Sequence, residues 1–185
     1  EHYDLFIERC VYWVEHMFGK DPQKCAELPR IINEDHARRL ASALKASKSK
    51  FACGGTADIE DRWVSPTIAR DVNGDDSLMK EELFGPILPV VRLSSDSSLQ
   101  TIIDFVNQPH LRSPLSCYIF AKNRSAIETL RAGIPAGAFA INDVMVQYCN
   151  PRLPFGGTGN SGMGQCVTIF NIFTRPQSTM RRDDR

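Results

Sequence analysis

Between Ile87 and Asn142 two kinds of hydrophobic period alternate, and this constrains the chain more than any single motif in it. Ile87-Leu-Pro-Val-Val-Arg-Leu93 reads as a strand. Leu99, Ile102, Ile103 and Val106 then fall at helical steps. Ser116-Cys-Tyr-Ile-Phe-Ala121 is nearly continuous in apolar character, a helical stretch ends at Gly133, and Gly137-Ala-Phe-Ala-Ile141 is apolar again. Ser97-x-x-Gln100 and Ser125-x-x-Glu128 have the capping-box pattern and are expected to open the two helices. Strands and helices that alternate across short links favour right-handed β-α-β crossovers. The expected fold class is therefore α/β, with a mostly parallel sheet and flanking helices.

The first half is less regular. Tyr3, Phe6, Ile7, Cys10, Val14, Met17 and Phe18 recur at three- and four-residue steps, which predicts an amphipathic helix ended by Gly19. Asp21-Pro22 is a cap and first-turn signal. A second helix is expected from about Glu34 to about Ala46, with Asn33 as its cap and His36, Leu40 and Leu44 on one face. Phe51-Ala-Cys53 is a short strand stopped by Gly54-Gly55. Arg62-Trp-Val-Ser-Pro-Thr-Ile68 is extended, and Pro66 makes it an edge or irregular strand. Beyond Asn142 the regularity gives way to a loop rich in Pro and Gly that runs to Gly164. Val167, Ile169, Phe170, Ile172 and Phe173 follow.

Composition narrows the function classes. The 185 residues hold 22 Lys plus Arg and 22 Asp plus Glu, a formal net charge of zero. That balance gives no support to a nucleic-acid partner or an anionic membrane surface. No apolar run is long enough for a transmembrane segment, and no signal peptide opens the sequence. The basic end, with Arg175, Arg181 and Arg182 offset by Asp183 and Asp184, reads as a solvated tail. The six cysteines, Cys10, Cys25, Cys53, Cys117, Cys149 and Cys166, form no C-x-x-C pair, so no metal site is expected. Buried free thiols in a reducing cytosol or organelle are the simplest reading.

Gly157-Thr-Gly-Asn-Ser-Gly162 matches the G-x-G-x-x-G fingerprint of a dinucleotide-binding turn. The residues before it, Pro151-Arg-Leu-Pro-Phe155, are poor strand material, and the acid at the right distance, Asp183, lies in the tail. A loop in which glycines let backbones approach closely is preferred. An independent nucleotide-binding module built on this loop is the weaker alternative. Glu81-Glu-Leu-Phe-Gly-Pro86, just ahead of the Ile87 strand, is an acidic pair and an aromatic before a Gly-Pro turn. Such a loop can present a carboxylate and a ring face to a ligand.

Together these segments resemble the aldehyde dehydrogenase family. Glu81-Glu82-Leu-Phe84-Gly85-Pro86 is similar to its E-[EQ]-x-F-G-P motif, and Arg62-Trp-Val-Ser-Pro-Thr-Ile68 to the aromatic-x-x-P-T segment before it. Gly54-Gly55 matches its paired glycines, and Leu153-Pro-Phe-Gly-Gly-Thr-Gly-Asn-Ser-Gly-Met-Gly164 its P-F-G-G loop. Arg30-Ile-Ile-Asn33 with His36, Asn142-Asp-Val144 and the N-S-G-M-G ending resemble the class-three branch that oxidises fatty and aromatic aldehydes. The match runs from the first helix to about Phe173.

The resemblance implies a Rossmann-like catalytic domain, partial over 1–164, with a C-terminal segment and tail over 165–185. It implies NAD or NADP as cofactor, an aldehyde as substrate and a homodimeric parent. In that family a cysteine thiolate attacks the aldehyde, hydride passes to the nicotinamide, and a glutamate-activated water hydrolyses the thioester. Glu82 would then hold the nicotinamide ribose hydroxyls, because a carboxylate only accepts hydrogen bonds, and Phe84 would lie against the ring or ribose. Asn142, Tyr148, Cys149, Phe155 and Gly156 would line the active-site loop or aldehyde tunnel. No cysteine here has the family's nucleophile context. The catalytic cysteine and general base are therefore expected upstream, none of the catalytic residues in this chain, and the chain alone inactive. The first residue, Glu1, likewise reads as the start of a fragment or a processed product. The segment Gln165-Cys-Val-Thr-Ile169 is about two residues shorter than the family pattern. The competing reading is a non-catalytic, aldehyde-dehydrogenase-like scaffold or binding protein.

Overall fold

The computed structural model describes residues 2–150, 153–162 and 177–181, and these fall into two compact units that divide between Ser95 and Asp96. The first unit opens with α1 (Tyr3–Phe18) and a short 3-10 turn, Pro22–Lys24, followed by α2 (Glu34–Ala46). Gly19 closes α1 at φ 75°, and the Asn33 side chain caps α2 by accepting from the His36 N–H at 2.9 Å. Strands β1 (Lys50–Cys53), β2 (Ala57–Asp58), β3 (Trp63–Val64), β4 (Thr67–Arg70) and β5 (Ile87–Val90) complete the unit. The order β1-β4-β5 makes one sheet, antiparallel at β1/β4 and parallel at β4/β5, while β2 and β3 pair antiparallel.

The two prolines act differently because of where they fall. Pro66 carries no N–H, and the extended Arg62–Ile68 stretch breaks at Ser65-Pro66 into β3 and β4. Pro89 is tolerated inside β5 because β5 lies at the margin of its sheet. The paired glycines reach the Pro-Thr segment directly: the Gly55 N–H donates to Thr67 Oγ1 at 2.9 Å, and the same hydroxyl donates to the Ser65 carbonyl at 2.8 Å.

Leu40 and Leu44 of α2 pack with Val64, Ala69, Val72, Leu78 and Ile87 to form the core of this unit. The apolar stripe of α1 is only partly used. Ile7 is buried and Tyr3, Cys10, Val14 and Phe18 are partly buried, while Phe6 and Met17 stay about half exposed.

The second unit is a parallel sheet, β6 (Ser116–Ile119), β7 (Ala138–Ile141) and β8 (Ser178–Arg181), with β7 central, accompanied by α3 (Leu99–Val106) and α4 (Arg124–Gly133). The β6-α4-β7 sequence is the β-α-β unit read from the alternating pattern. All four residues of β7 are buried, which is why its sequence is an unbroken apolar run. Ile103, Ile119, Ile127, Leu130, Ile134, Ala136, Phe139 and Ile141 form the core.

The parallel pairing expected of the alternating run is present within each unit, β5 with β4 and β6 with β7. Three expectations are revised. The caps of α3 and α4 are Ser98 and Asn123, whose side chains accept from the N–H groups of Thr101 and Ala126. Ser97 and Ser125 are therefore not the capping residues. Neighbouring cap-type residues are equivalent in a pattern, and only the geometry three residues on decides between them. Glu128 pairs with Arg131 instead of reaching back to a cap. Finally, 178–181 is no solvated tail. It pairs parallel with β7, and Ser178 is buried with its Oγ donating to the Pro154 carbonyl at 2.7 Å. Main-chain pairing needs no apolar pattern, so a Ser-Thr-Met-Arg strand gives no signal. Arg175, Arg182, Asp183 and Asp184, Cys166, the 165–169 stretch and the apolar residues from Val167 to Phe173 lie outside the described residues.

Candidate functional site

The segment from Glu81 to Pro86 carries the sharpest functional reading of the sequence, and its local structure is unusual. Phe84 adopts φ 51°, the left-handed region that non-glycine residues rarely occupy, and its ring is 83% exposed. Such a conformation costs energy and persists only where the surrounding structure holds it.

The two acids are not equivalent. Arg39, on α2, donates to Glu81 Oε1 at 2.9 Å. The same guanidinium reaches the main-chain oxygens of Glu82, at 3.2 Å, and Leu83. The Glu82 carboxylate itself has no hydrogen-bond or ion-pair partner among the described residues. An exposed carboxylate with all its acceptor positions available therefore stands two residues before an exposed ring.

An apolar hollow of about 420 Å³ adjoins this loop. It is lined by Leu28, Pro29, Arg30, Ile31, Ile32 and His36 from one stretch of the chain and by Phe84, Gly85 and Pro86 from another. The Arg30-Ile-Ile-Asn33 and His36 motif thus meets the Phe84-Gly85-Pro86 motif in one concavity, although some fifty residues separate them in the sequence. Arg30 is held there by Asp61, with its Nε 3.0 Å from Asp61 Oδ1 and an Nη 2.8 Å from Oδ2.

The other candidate residues belong to the second unit. Asn142, at φ 56°, spends its amide on structure: its Oδ1 accepts from the Ala121 N–H at 2.9 Å, and its Nδ2 donates to the Ala121 carbonyl at 3.2 Å. Tyr148 lies with its hydroxyl 2.6 Å from Ser116 Oγ and its ring edge-on to Phe155, centroids 5.1 Å apart. Cys149 is exposed, Phe155 is half exposed, and the carbonyl of Gly156 lies against the backbone at Gly137. Gln147, which sequence reasoning passed over, is buried beside them and donates towards Ser116 Oγ and the Tyr118 hydroxyl.

The glycine loop is a close-approach loop. A Cβ on Gly157 would lie 2.1 Å from the Ser161 carbonyl oxygen, so only glycine fits there. Gly159–Ser161 is a single 3-10 turn, capped reciprocally by the side chains of Thr158 and Ser161. Among the described residues no α-helix opens on it to meet a phosphate. Met163 and Gly164 fall outside the described residues.

Among the described residues no group of His, Cys, Asp or Glu could hold a metal ion, and no helix is long and apolar enough to cross a membrane. Cys10, Cys25, Cys53, Cys117 and Cys149 are unpaired thiols. Desolvation by burial pushes the Cys10, Cys53 and Cys117 thiols above their ordinary range. A nucleophilic cysteine requires the opposite.

Helices accompany a mixed sheet in the first unit and a parallel sheet in the second, which defines an α/β protein. The chain belongs to the aldehyde dehydrogenase family, whose family model matches residues 1–176. It is 35% identical over 173 residues to an aldehyde dehydrogenase of Craterostigma plantagineum, covering 91% of this chain and 35% of that one. With the dimeric NADP-preferring aldehyde dehydrogenase of Rattus norvegicus it shares 37% over 158 residues, 85% of this chain and 33% of the relative. The substrate-bound structure of Staphylococcus aureus AldH superposes with a TM-score of 0.78 at 32% identity, covering 94% of this chain and 37% of that one. The chain spans about a third of the length of these relatives.

Proposed function

We propose that this chain forms the nicotinamide-facing part of an NAD(P)-dependent aldehyde dehydrogenase that oxidises aldehydes to carboxylic acids through a thioester. The observation that carries the reading is the pairing of an unpartnered Glu82 carboxylate with the exposed, left-handed Phe84 on one loop. These residues fit a nicotinamide nucleoside. Ribose hydroxyls need acceptors, which a free carboxylate supplies, and a flat ring face suits a flat heterocycle. Held by Glu82 and Phe84, a nicotinamide would supply the hydride acceptor for the oxidation. The chain's own task is to hold the sugar and to shield one side of the ring from water, so that the transfer distance is set before reaction.

The nucleophilic cysteine and the general base belong to parts of the family fold that these residues do not supply. The raised thiols of Cys10, Cys53 and Cys117 accord with that division. The rat relative is named NADP-preferring and dimeric, and both cofactors, with homodimeric assembly, are part of the reading. Asn142, Tyr148, Cys149, Phe155 and Gly156 are assigned to the wall of the aldehyde path, and Asn142 and Tyr148 shape that wall through their own hydrogen bonds. A reducing intracellular compartment suits the unpaired thiols.

In the native polypeptide that carries these residues, Glu82→Gln should slow single-turnover NADH formation from benzaldehyde by on the order of tenfold, since an amide turns one acceptor into a donor. The 185-residue chain alone should turn over neither hexanal nor benzaldehyde. Unchanged NAD kinetics in the Gln variant removes Glu82 from the site. A native polypeptide that binds NAD but oxidises no aldehyde supports the non-catalytic scaffold instead.

A further inference from the structure

We infer that Arg39 is the positioning residue of the cofactor-facing loop: it holds the main chain of 81–84 so that Phe84 stays left-handed and Glu82 stays free. This rests on the assignment of Glu82 and Phe84 to the nicotinamide ribose and ring.

The argument starts from what the guanidinium touches. α2 carries adjacent arginines, and they behave differently. Arg38 remains on its own helix, paired with Glu34 at 3.8 Å and Asp35 at 3.0 Å. Arg39 leaves its helix and meets acceptors on three successive residues, the Glu81 carboxylate and the carbonyls of Glu82 and Leu83. A planar fork of five N–H donors can serve three acceptors in one geometry, which a point-charge ammonium cannot. The two carbonyls belong to the peptide units immediately before Phe84. Fixing them fixes the direction from which the chain enters the left-handed residue, whose φ of 51° needs support from its surroundings.

The next residue of the helix holds the other end of the loop. A Cβ on Gly85 would lie 2.5 Å from Leu40 Cδ1, so Gly85 rests directly on Leu40, which is completely buried. Arg39 and Leu40, consecutive on α2, thus grip the loop on either side of Phe84, one by hydrogen bonds and one by contact.

The choice of partners bears on the chemistry. If Arg39 served only to neutralise the acidic pair, the Glu82 carboxylate would be an equally good target. Instead the guanidinium takes Glu82 by its carbonyl and leaves its carboxylate open. One of two adjacent acids is consumed as an anchor, and the other is presented.

Two measurements on the native polypeptide test this, with Arg39→Lys as the principal variant and Arg39→Gln as a second in case the first fails to fold. The first is hydrogen exchange of the amides of 82–85 without ligand. The second is the affinity for NADH, read from its fluorescence, with single-turnover hydride transfer beside it. Arg39→Lys should speed exchange in the loop while the amides of β4 and of α2 beyond its first turns stay as protected as before. It should raise the Kd for NADH several-fold and slow hydride transfer by a similar factor. Combining it with Glu82→Gln should do no more than the worse single change, because both act through one loop. Normal loop exchange and normal NADH affinity in Arg39→Lys, with Glu82→Gln impaired, overturn the clamp and leave the Glu82 assignment standing. Faster loop exchange with unaltered affinity and turnover in both variants overturns the Glu82 assignment, and the positioning role with it.

Discussion

Phe139→Ala is expected to destabilise the second unit by about 3–5 kcal/mol, the range for emptying a fully buried aromatic site. Phe139 is completely buried on the central strand β7, between β6 and β8. It packs with Ile103 of α3, Ile127 and Leu130 of α4, Ile119 of β6 and Ile141, its neighbour on the same face of β7. Replacing the ring by a methyl group leaves a void walled by branched side chains, which cannot close over it without leaving their rotamers. A loss of that size is a large share of the ~5–15 kcal/mol that holds a typical domain together. Hydrogen exchange at the amides of Ala138–Ile141 reads the effect directly, with Thr67–Arg70 of the first unit as the internal reference. Exchange in β7 that is unaltered by the substitution would show that the ring cluster is not what holds the sheet.

Asp76→Asn should cost the first unit about 2–4 kcal/mol at neutral pH, and the cost should shrink in acid. The carboxylate is the knot between the end of α2 and the 3-10 turn Ser77–Met79. Its Oδ2 accepts from Ser47 Oγ, the Lys48 N–H and Ser49 Oγ at 3.0–3.1 Å, and its Oδ1 accepts from the Leu78 N–H at 3.0 Å. An amide of the same shape turns one of the two acceptors into a donor, which then faces a main-chain N–H that can only donate, that of Lys48 or of Leu78. Burial alone would push the Asp76 carboxyl up, but the hydrogen bonds from Leu78, Ser47, Lys48 and Ser49 together outweigh it and hold the group below its ordinary range. The sign follows. A carboxyl depressed in the folded state contributes its full stabilisation above the unfolded value, about 3.9, and loses it as the pH falls through the folded value. Urea midpoints of wild type and Asp76→Asn should therefore stand well apart at pH 7 and approach one another at pH 3. A gap equally wide at both would mean that the carboxylate's charge is irrelevant to the fold.

Asp76 also illustrates what a linear reading misses. Asn73-Gly-Asp-Asp-Ser-Leu78 looks like an ordinary turn, and nothing in it announces that Asp76 rather than Asp75 will collect five donors, three of them from residues 47–49. The candidate site divides in the same way. The acid-acid-x-aromatic-Gly-Pro pattern draws attention to 81–86, but Glu81 and Glu82 are interchangeable in the pattern. What separates them is Arg39, forty-odd residues away and one of two adjacent arginines on a polar helix face. The caps of α3 and α4 show a milder version of this, since Ser97 and Ser98 both precede α3, and Asn123 and Ser125 stand on either side of the first residue of α4.

The sequence by itself determined the kinds of element and the family. The helical steps of α1 and α2, the Asn33 cap, the apolar runs of β6 and β7 and the turn at Gly85-Pro86 all depend on neighbours within a few positions, and period and turn chemistry are local properties. Tertiary structure alone decided which strand takes β5, that Ser178–Arg181 joins a sheet at all, which carboxylate of each acidic pair is bound and which is free, and that Phe84 is held left-handed with its ring exposed. Each of those depends on a hydrogen bond or a contact between residues far apart in the chain, and the chain must fold before such a pair exists.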